Sequence, residues 1–514
     1  MPVKTFAAID VGSYEIAMKI YEISAKNGMR EIDHLRHSID MGTETYTTGR
    51  LSYERVEELC RILREFKTAM DGYQVIACQA YGTSAFREAE NALILLDQIS
   101  VRTGIKINVL SNSEQRLFHY KSVAWKEEIF AGAIKTGAAI IDIGGGSIQI
   151  SLFEKDTLVS TQNLRLGVLR LREILNRLDV IPAKYEALLT EIITSQMNVY
   201  RKLYLRDRYI ENIIVIDDYI SDLIIRQSAG GKKGLIDKAA LEELLQRFGS
   251  AAPAQTAKAF NVPEDEVLLM QISGTLLMNI ANLTDAGNIW APGTTLCDGV
   301  AYDYAEKHKI IASRHDFEQD IIACARNISK RYSGSRRRSE TMEELALTIF
   351  DSMKKVHGLG RRERLLLRIA VLLHDCGKFV SMVNLADCSY NIIMATEIIG
   401  LSHIERLIVA NVVKYNHQRF EFFENIGQQQ GLDRASYMTI AKLTAILRLA
   451  NGLDRSHKQK FRDMKALVKD GELQLTVDTD KDITLEKGLF GNKARFFEEV
   501  FSIRPVIRRK RNSP

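Results

Sequence analysis

The stretch AIIDIGGGSIQISLFE, residues 139–154, decides the fold of this chain. Its apolar first half predicts an interior β-strand that ends near Asp142, and its alternating second half predicts the returning strand of a hairpin. Gly144, Gly145 and Gly146 leave a main chain that a ligand can approach closely, and bare N–H groups in a turn can surround an anion. A carboxylate beside such a turn indicates Mg²⁺, which binds one or two carboxylates together with phosphate oxygens. A tight hairpin with a hydrogen-bonded aspartate is the alternative interpretation of this stretch alone.

The same pattern occurs a second time, near the start of the chain. FAAIDVGSYEIAMKIYEI, residues 6–23, repeats the order of strand, Asp, Gly–Ser turn and alternating strand. Such a repeat predicts two half-domains, each of which offers an Asp–Gly turn to a shared cleft. The first half reads as β-β-β-α-β-α-β-α, with strands at 4–10, 14–24, 29–38, 73–80 and 105–110, and helices at about 52–70, 84–102 and 113–130.

Composition sets the broad class. The chain has 514 residues, of which 46% are hydrophobic and 26% charged, as is typical of globular proteins, and its net charge of +5 mildly favours anionic ligands. Its six cysteines include no C-x-x-C pair, which excludes a zinc ribbon or redox motif and fits a cytoplasmic protein. The N-terminus shows no signal peptide, and no apolar stretch predicts a membrane span.

The hydrophobic pattern of the sequence changes from about residue 301, where long helical patterns begin. We predict two α/β halves at 1–132 and 133–300, a helical domain at 301–465 and a small hairpin-containing appendage at 466–514. Asp470 and Gly471 form the predicted hairpin turn of that appendage. The basic tail IRRKRNSP is expected to be frayed, and the charged loop SGSRRRSE (333–340) to be solvated rather than bound to nucleic acid.

The duplicated unit with paired Asp–Gly hairpins resembles the actin–Hsp70–sugar kinase superfamily, which has a ribonuclease H-like fold. Within it, the chain resembles the Ppx/GppA phosphatases, the exopolyphosphatases and guanosine pentaphosphate phosphohydrolases. The resemblance is carried by AAIDVGS, YGTSAFREAEN (81–91), VLSNSEQRL (109–117) and IIDIGGGS, and HDCGK (374–378) with LRLANGLDRSH (447–457) extends it into an HD-like domain. It implies an α/β fold of duplicated actin-like halves flanking a cleft, then an all-α HD-like domain, and a homodimer.

The resemblance also implies a chemistry. It implies a Mg²⁺-dependent hydrolase that releases the terminal phosphate of inorganic polyphosphate or the 5′ γ-phosphate of pppGpp, with no membrane or specific nucleic-acid partner. Asp10 and Asp142 would hold Mg²⁺, and Glu114 with Arg87 would be catalytic, Glu114 by orienting or deprotonating the attacking water. The implied phosphate-binding set is Gly12, Ser13, Thr83, Ser84, Arg87, Gly144, Gly145, Gly146 and Ser147.

Read singly, several of these residues also fit ordinary structural roles. Thr83 or Ser84 would serve as a helix N-cap, Glu114 as a helix-start acid, and Arg87 as a member of a surface ion pair. Their occurrence together with the two turns favours the functional interpretation.

The chain departs from the family pattern at both turns. Tyr14 and Glu15 replace a small polar pair in the first turn, and Gln149 replaces a glutamate after the second. An amide cannot act as a base and is a weaker Mg²⁺ ligand than a carboxylate. Glu15 is a candidate to restore the missing charge from the opposite turn, so Glu15 and Gln149 are expected to modulate the site.

The HD-like domain departs as well. Beside His374 and Asp375, Arg338 and Ser339 stand where an upstream histidine ligand is expected, and Asn451 stands where the final aspartate is expected. This set predicts no closed metal site, and a structural role or a channel wall for a long anion.

Three other functions fit parts of the sequence. A sugar kinase or ATPase would share the fold but would need an adenosine pocket, for which SGTLLMNIANL (273–283) is a candidate glycine turn followed by a helix. A polyphosphate or (p)ppGpp sensor would keep the phosphate-binding turns without turnover, as Tyr14, Glu15 and Gln149 suggest. An HD phosphohydrolase would need the missing ligands.

Overall fold

Alternating apolar residues form a hairpin of long strands at the start of the chain. The computed structural model describes residues 4–178, 184–228, 233–313 and 315–509. The first sheet has the order β3-β2-β1-β4-β5, in which β4 runs parallel to β1. Its strands are β1 (Lys4–Val11), β2 (Glu15–Ser24), β3 (Gly28–Ser38), β4 (Ala77–Gly82) and β5 (Ile107–Val109).

The helices of the first half follow the predicted order, with two differences. The predicted helix at 84–102 is interrupted at Ala89, whose backbone is extended (φ −72°, ψ 122°). Asn91 directly precedes the second helix and donates its side-chain amide to the Leu51 carbonyl at 2.9 Å. The predicted helix at 113–130 is also two helices. The observed helices are α1 (Met41–Thr48), α2 (Tyr53–Gly72), α3 (Ser84–Glu88), α4 (Ala92–Thr103), α5 (Asn112–Ala124) and α6 (Glu127–Thr136).

The second half repeats this design in a six-stranded sheet of order β10-β11-β9-β6-β7-β8. Its strands are β6 (Ala138–Ile143), β7 (Ile148–Glu154), β8 (Thr157–Leu164), β9 (Asn212–Asp217), β10 (Leu235–Asp237) and β11 (Asn288–Trp290). The β6–β7 hairpin pairs Asp142 with Gln149, as the β1–β2 hairpin pairs Asp10 with Ala17. The predicted duplication is therefore present, and each aspartate lies near the carboxyl end of its strand.

Six helices among the described residues accompany the second sheet: α7 (Val168–Arg177), α8 (Tyr185–Tyr200), α9 (Ser221–Gln227), α10 (Lys238–Gly249), α11 (Pro253–Phe260) and α12 (Val267–Thr284). The next helix, α13 (Leu296–Lys307), packs against β1 and β2 of the first sheet. A π-helical turn, Arg201–Leu205, extends α8, and a 3₁₀ turn, Glu264–Glu266, precedes α12. The stretch Glu264–Thr284 is long and apolar enough to cross a membrane, but 61% of its most apolar window is buried inside the protein. Ile272, Leu276 and Ile280 are fully buried there, so α12 is a core helix.

The chain divides into two units, Met1–Asp320 and Ile321–Pro514. The predicted boundary at 300/301 instead falls inside α13. Asp298 of α13 accepts hydrogen bonds from Lys19 Nζ and from the Tyr21 hydroxyl of β2, both at 3.0 Å. These buried contacts hold α13 in the first unit.

The second unit is mostly helical. Its helices are α14 (Phe317–Arg331, which begins in the first unit), α15 (Arg336–Ser352), α16 (Lys354–His357), α17 (Arg361–Leu373), α18 (Leu385–Ala395), α19 (His403–His417), α20 (Phe423–Gln430), α21 (Arg434–Leu453) and α22 (Thr484–Phe501), with a 3₁₀ turn at Cys376–Phe379. The predicted hairpin is present as β12 (Lys465–Lys469) and β13 (Glu472–Val477), with positive φ at Asp470 and Gly471.

The expected frayed tail is partly wrong. Residues 504–509 form a third strand, β14 (Arg504–Arg509), which runs parallel to β13. Arg508 pairs with Glu472 at 3.0 Å, and Arg509 donates to main-chain carbonyls of 479 and 481. The basic residues are thus used at the sheet edge, while residues 510–514 lie outside the described part of the chain.

Candidate active site

Each Asp–Gly turn is closed by one hydrogen bond across it. The Gly12 amide donates to the Glu15 carbonyl at 2.9 Å, and the Gly144 amide donates to the Ser147 carbonyl at 3.0 Å. A Cβ on Gly12 would lie 2.7 Å from that Glu15 oxygen, so the turn requires glycine. These two amides are therefore engaged, and the predicted phosphate cradle rests on the remaining main-chain amides of the two turns.

The two turns meet through three hydroxyl groups. Ser13 Oγ lies 2.7 Å from Ser84 Oγ, and the Tyr46 hydroxyl lies 2.8 Å from Ser13 Oγ and 2.7 Å from Ser84 Oγ. A Cβ on Gly146 would lie 2.5 Å from the Tyr46 hydroxyl. Ser13, Ser84 and Gly146, which come from three separate motifs, are thus brought together.

The predicted N-cap role is absent for the hydroxyls at the start of α3. Thr83 occupies the N-cap position, but its side chain makes no capping hydrogen bond. The Ser84 hydroxyl faces Ser13 and Tyr46 instead. Both residues are buried, and the Ser84 hydroxyl lines the junction between the turns rather than the outside of the helix.

A histidine contacts Asp142, one of the two predicted metal ligands. His119 Nδ1 lies 2.7 Å from Asp142 Oδ2, and both side chains are at most 10% exposed. Burial opposes the charge on His119, but the Asp142 carboxylate prevails and raises its pKa above the usual value. Burial raises the pKa of Asp10 to about 7, against the opposing charge of His119.

The carboxylates fit a hard cation. Asp10 Oδ1 is buried and has no hydrogen-bond partner among the described residues. A bound Mg²⁺ would satisfy this carboxylate oxygen. Within the described parts of the chain, no three His, Cys, Asp or Glu side chains are grouped as a metal site. A cation here would therefore rest on Asp10 and Asp142, and it would share Asp142 with His119.

Glu114 lies at the start of α5. Its Oε2 accepts from the Ser111 amide at 3.0 Å and from the Ser111 hydroxyl at 2.8 Å, and the Glu114 amide donates back to Ser111 Oγ. This reciprocal arrangement is a capping box, which stabilises the helix start. These carboxylate hydrogen bonds run to its own helix rather than to either turn, so its catalytic role stays a prediction.

Arg87 lies on α3 and contacts the end of β5 and the first turn of α5. Its Nη1 donates to the Leu110 carbonyl at 2.7 Å and lies 3.4 Å from Gln115 Oε1. The predicted surface ion pair is therefore not the contact that the structure gives for this nitrogen. A role of Arg87 on phosphate stays a prediction.

The two expected modulators are both bound to arginines. Gln149 Oε1 accepts from Arg116 Nε at 3.0 Å, while Gln149 pairs with Asp142 across the hairpin. Glu15 forms a two-nitrogen contact with Arg36 at 2.5 and 2.8 Å. Glu15 still contributes to the raised pKa of Asp10, after burial.

Sequence reasoning missed His119, Tyr46 and Arg170. Arg170 Nε donates to the Gly146 carbonyl at 2.7 Å, and its guanidinium lies 4.2 Å from the centre of the Tyr46 ring. Arg116 and His119 are three residues apart and lie on one face of α5, which was the available signal. Tyr46 offered no signal, because α1 is a short polar helix whose position depends on tertiary contacts.

Two family models match this chain. The Ppx/GppA phosphatase family matches residues 19–308, and the Ppx/GppA phosphatase domain III matches residues 322–492. The chain belongs to the Ppx/GppA phosphatase family. This membership confirms the resemblance found in the sequence, and at the family level it makes the chain a hydrolase.

Known relatives agree with this assignment at low identity. A guanosine-5′-triphosphate,3′-diphosphate pyrophosphatase of Photobacterium profundum is 19% identical over 458 residues, 88% of each chain. A bifunctional 3-dehydroquinate synthase/phosphatase of Fusobacterium nucleatum is 25% identical over 175 residues, 32% of this chain, which spans only 26% of that relative's length.

A solved relative shows the same fold. The exopolyphosphatase of Cytophaga hutchinsonii aligns with 59% of this chain and 98% of its own, with a TM-score of 0.51 and 18% identity. At this identity the likeness concerns the fold alone. It confirms the predicted α/β class of the Ppx/GppA phosphatases.

Proposed function

We propose that this protein is a Mg²⁺-dependent phosphohydrolase that removes the terminal phosphate of inorganic polyphosphate or the 5′ γ-phosphate of guanosine pentaphosphate. The observation that carries the proposal is the junction of the two Asp–Gly turns, where Ser13 Oγ lies 2.7 Å from Ser84 Oγ and a Cβ on Gly146 would lie 3.1 Å from Ser84 Oγ. Relatives named as exopolyphosphatase and as guanosine pentaphosphate pyrophosphatase support this substrate class. We further propose that it works as a cytoplasmic homodimer.

The residues of the junction suit the binding of a phosphate chain end. The hydroxyls of Ser13 and Ser84 and the unengaged amides of the second turn would donate to phosphate oxygens. Thr83 and Ser84 start α3 and Ser147 ends the second turn, so donors come from both sides of the cleft. Positioning of this kind is the main protein contribution to phosphoryl transfer.

Asp10 and Asp142 would hold Mg²⁺, which when bound neutralises charge on the transferred phosphate. Glu114 is the proposed group for orienting the attacking water, in agreement with the family pattern. Because Glu114 Oε2 accepts a hydrogen bond from the Ser111 hydroxyl, this role requires the carboxylate to accept a hydrogen bond from water while it still caps the helix.

The deciding measurement is phosphate release from long polyphosphate, short polyphosphate and pppGpp, each with Mg²⁺ and with a chelator. Mg²⁺-dependent release from any of the three supports the proposal, and the relative rates assign the substrate. Absence of release from all three would overturn it.

A sensor that binds these ligands with weak or no turnover is the second candidate. It is favoured by the engagement of three groups: Asp142 with His119, Gln149 with Arg116, and Glu114 with its helix cap. Saturable binding of polyphosphate or (p)ppGpp without phosphate release would identify this function.

A further inference from the structure

A tyrosine that belongs to none of the sequence motifs contributes the third hydroxyl at the junction of the two turns. The Tyr46 hydroxyl lies 2.8 Å from Ser13 Oγ and 2.7 Å from Ser84 Oγ, and the two serine oxygens lie 2.7 Å apart. The three oxygens therefore form a nearly equilateral triangle. An oxygen atom placed above this triangle at hydrogen-bonding distance would be within reach of all three hydroxyls.

The number of protons decides what the triangle can offer to a ligand. Each hydroxyl has one proton to donate, can also accept, and can rotate about its C–O bond. The three hydroxyls can therefore satisfy one another in a ring, and the same three protons can turn toward an acceptor above it. A phosphoryl oxygen is the stronger acceptor, because hydrogen bonds to a charged oxygen are about twice as strong as those between neutral groups.

Tyr46 is held in place from both turns. Its helix α1 is tied to the first turn by the Gly42 amide, which donates to the Ser13 carbonyl at 2.7 Å. Arg170 lies over the Tyr46 ring and donates to the Gly146 carbonyl of the second turn at 2.7 Å. The hydroxyl is thus fixed before any ligand arrives, which is the condition for stabilising charge with a preorganised donor.

The Tyr46 hydroxyl is also protonated and adjoins bare main chain. Burial raises the pKa of Tyr46 above its usual value, so the phenol keeps its proton at neutral pH and remains a donor. A Cβ on Gly146 would lie 2.5 Å from this hydroxyl. The second turn therefore approaches the triangle without a side chain between them, and an anion bound by that turn would lie beside the three hydroxyls.

We propose that Tyr46 is a catalytic residue whose hydroxyl, together with those of Ser13 and Ser84, donates a hydrogen bond to one oxygen of the phosphate that is released. The inference rests on the proposed function and adds a residue to the same site. Tyr46 transfers no proton in this role. It stabilises the negative charge on the phosphoryl oxygen while the bond to the leaving phosphate breaks.

The variant Tyr46→Phe tests this role, because it removes the hydroxyl and keeps the ring beneath Arg170. Loss of a hydrogen bond to a charged group should lower kcat/KM for phosphate release by about tenfold to a hundredfold. Tyr21→Phe is the matched control. It removes another buried tyrosine hydroxyl, which donates to Asp298 at 3.0 Å and belongs to the end of β2 that is remote from the first turn. This control should keep the kcat/KM of the wild type.

Urea unfolding and calorimetric titration with tripolyphosphate, with Mg²⁺ and with a chelator, are measured on the same preparations. We expect both variants to be folded and Tyr46→Phe to bind tripolyphosphate more weakly than Tyr21→Phe. Equal kcat/KM in the two variants would overturn the proposal. Tighter binding by Tyr46→Phe would also overturn it, because the hydroxyl would then compete with phosphate for the two serines.

The binding measurement separates this proposal from the proposed function. If the wild type releases no phosphate from polyphosphate or pppGpp, the proposed function fails, and tripolyphosphate binding alone decides the role of Tyr46. Weaker binding by Tyr46→Phe than by the wild type and Tyr21→Phe would keep Tyr46 as a phosphate-binding residue. Equal binding by all three proteins, or no binding by the wild type at millimolar tripolyphosphate, would overturn that role as well.

Discussion

Glu114 and Ser111 form one capping box but have different predicted importance, and replacing each by alanine separates the two roles of Glu114. In Glu114→Ala the cap loses its carboxylate, and in Ser111→Ala it loses its hydroxyl. If Glu114 acts only at the helix start, both variants should behave alike. If Glu114 also positions water, only Glu114→Ala should lose turnover.

The magnitudes are well separated. Loss of an N-cap contact costs about 0.5–2 kcal/mol of stability, so both variants should unfold at slightly lower urea concentration. Loss of a water-positioning acid lowers the rate by about 10²–10⁴-fold, which corresponds to about 2.7–5.5 kcal/mol in the activation barrier. A stability loss of the first size leaves a folded enzyme with nearly unchanged kcat.

The assay is Mg²⁺-dependent phosphate release from the substrate that the wild type prefers, with polyphosphate binding and urea unfolding measured on the same preparations. We expect Glu114→Ala to bind polyphosphate and to turn over at least a hundredfold more slowly, and Ser111→Ala to keep most activity. Equal turnover of the two variants, at whatever level, would remove Glu114 from the mechanism and leave it as a capping residue.

Three further predictions concern other groups. Gln149→Glu should tighten the Mg²⁺ dependence and raise turnover, because it restores a carboxylate opposite Asp142 that Arg116 can hold; unchanged metal dependence and rate would place position 149 outside the working site. Asp10→Asn should stabilise the metal-free protein by up to about 4 kcal/mol at pH 8. The reason is that the folded pKa of Asp10, about 7, exceeds its unfolded value, so that the stability of the wild type falls between about pH 4 and pH 7. Urea unfolding of both proteins with a chelator at pH 5 and pH 8 checks this, and a stability difference that does not grow with pH would contradict it. His374→Ala and Asp375→Ala should leave Mg²⁺-dependent phosphate release nearly unchanged, although Asp375→Ala leaves Arg338 without its carboxylate and should lower stability; a tightly held transition metal, detected by elemental analysis and lost with activity, would defeat this reading.

The hairpins and their duplication could be predicted from the sequence because both signals are local. Alternation along β7 reports which residues face the core, and Gly12 and Gly144 mark turns that only a few residues can close. The resemblance to the HD-like pattern, and not a local signal, located Arg338 and Asn451 at the altered centre of the helical unit, and the 3.2 Å contact between them agrees with that placement.

The parts that were missed depend on contacts distant in sequence. Tyr46 reaches Ser84 across 38 residues, and its helix is held by Arg172, which donates to Asp40 at 2.6 Å. The strand β14 pairs with β13, and no alternation distinguishes its RPVIRR from a solvated basic tail. The predicted boundary at 300/301 falls inside α13 for the same reason, since Asp298 of that helix meets Lys19 across 279 residues.

The departures at the two turns have a common electrostatic consequence. Gln149 removes a negative charge that the family pattern places beside Asp142, while the charge that Glu15 adds is paired with Arg36. Because burial raises the pKa of Asp10 to about 7 and His119 pairs with Asp142, these two side chains carry less net negative charge near neutral pH than two free carboxylates would, before any cation binds. A phosphate polyanion would meet less repulsion there, whereas a metal would find fewer free carboxylates than in a site that keeps the family's glutamate. The arrangement should therefore preserve substrate binding better than metal affinity, and the dependence of rate on Mg²⁺ concentration is where these departures should be visible first.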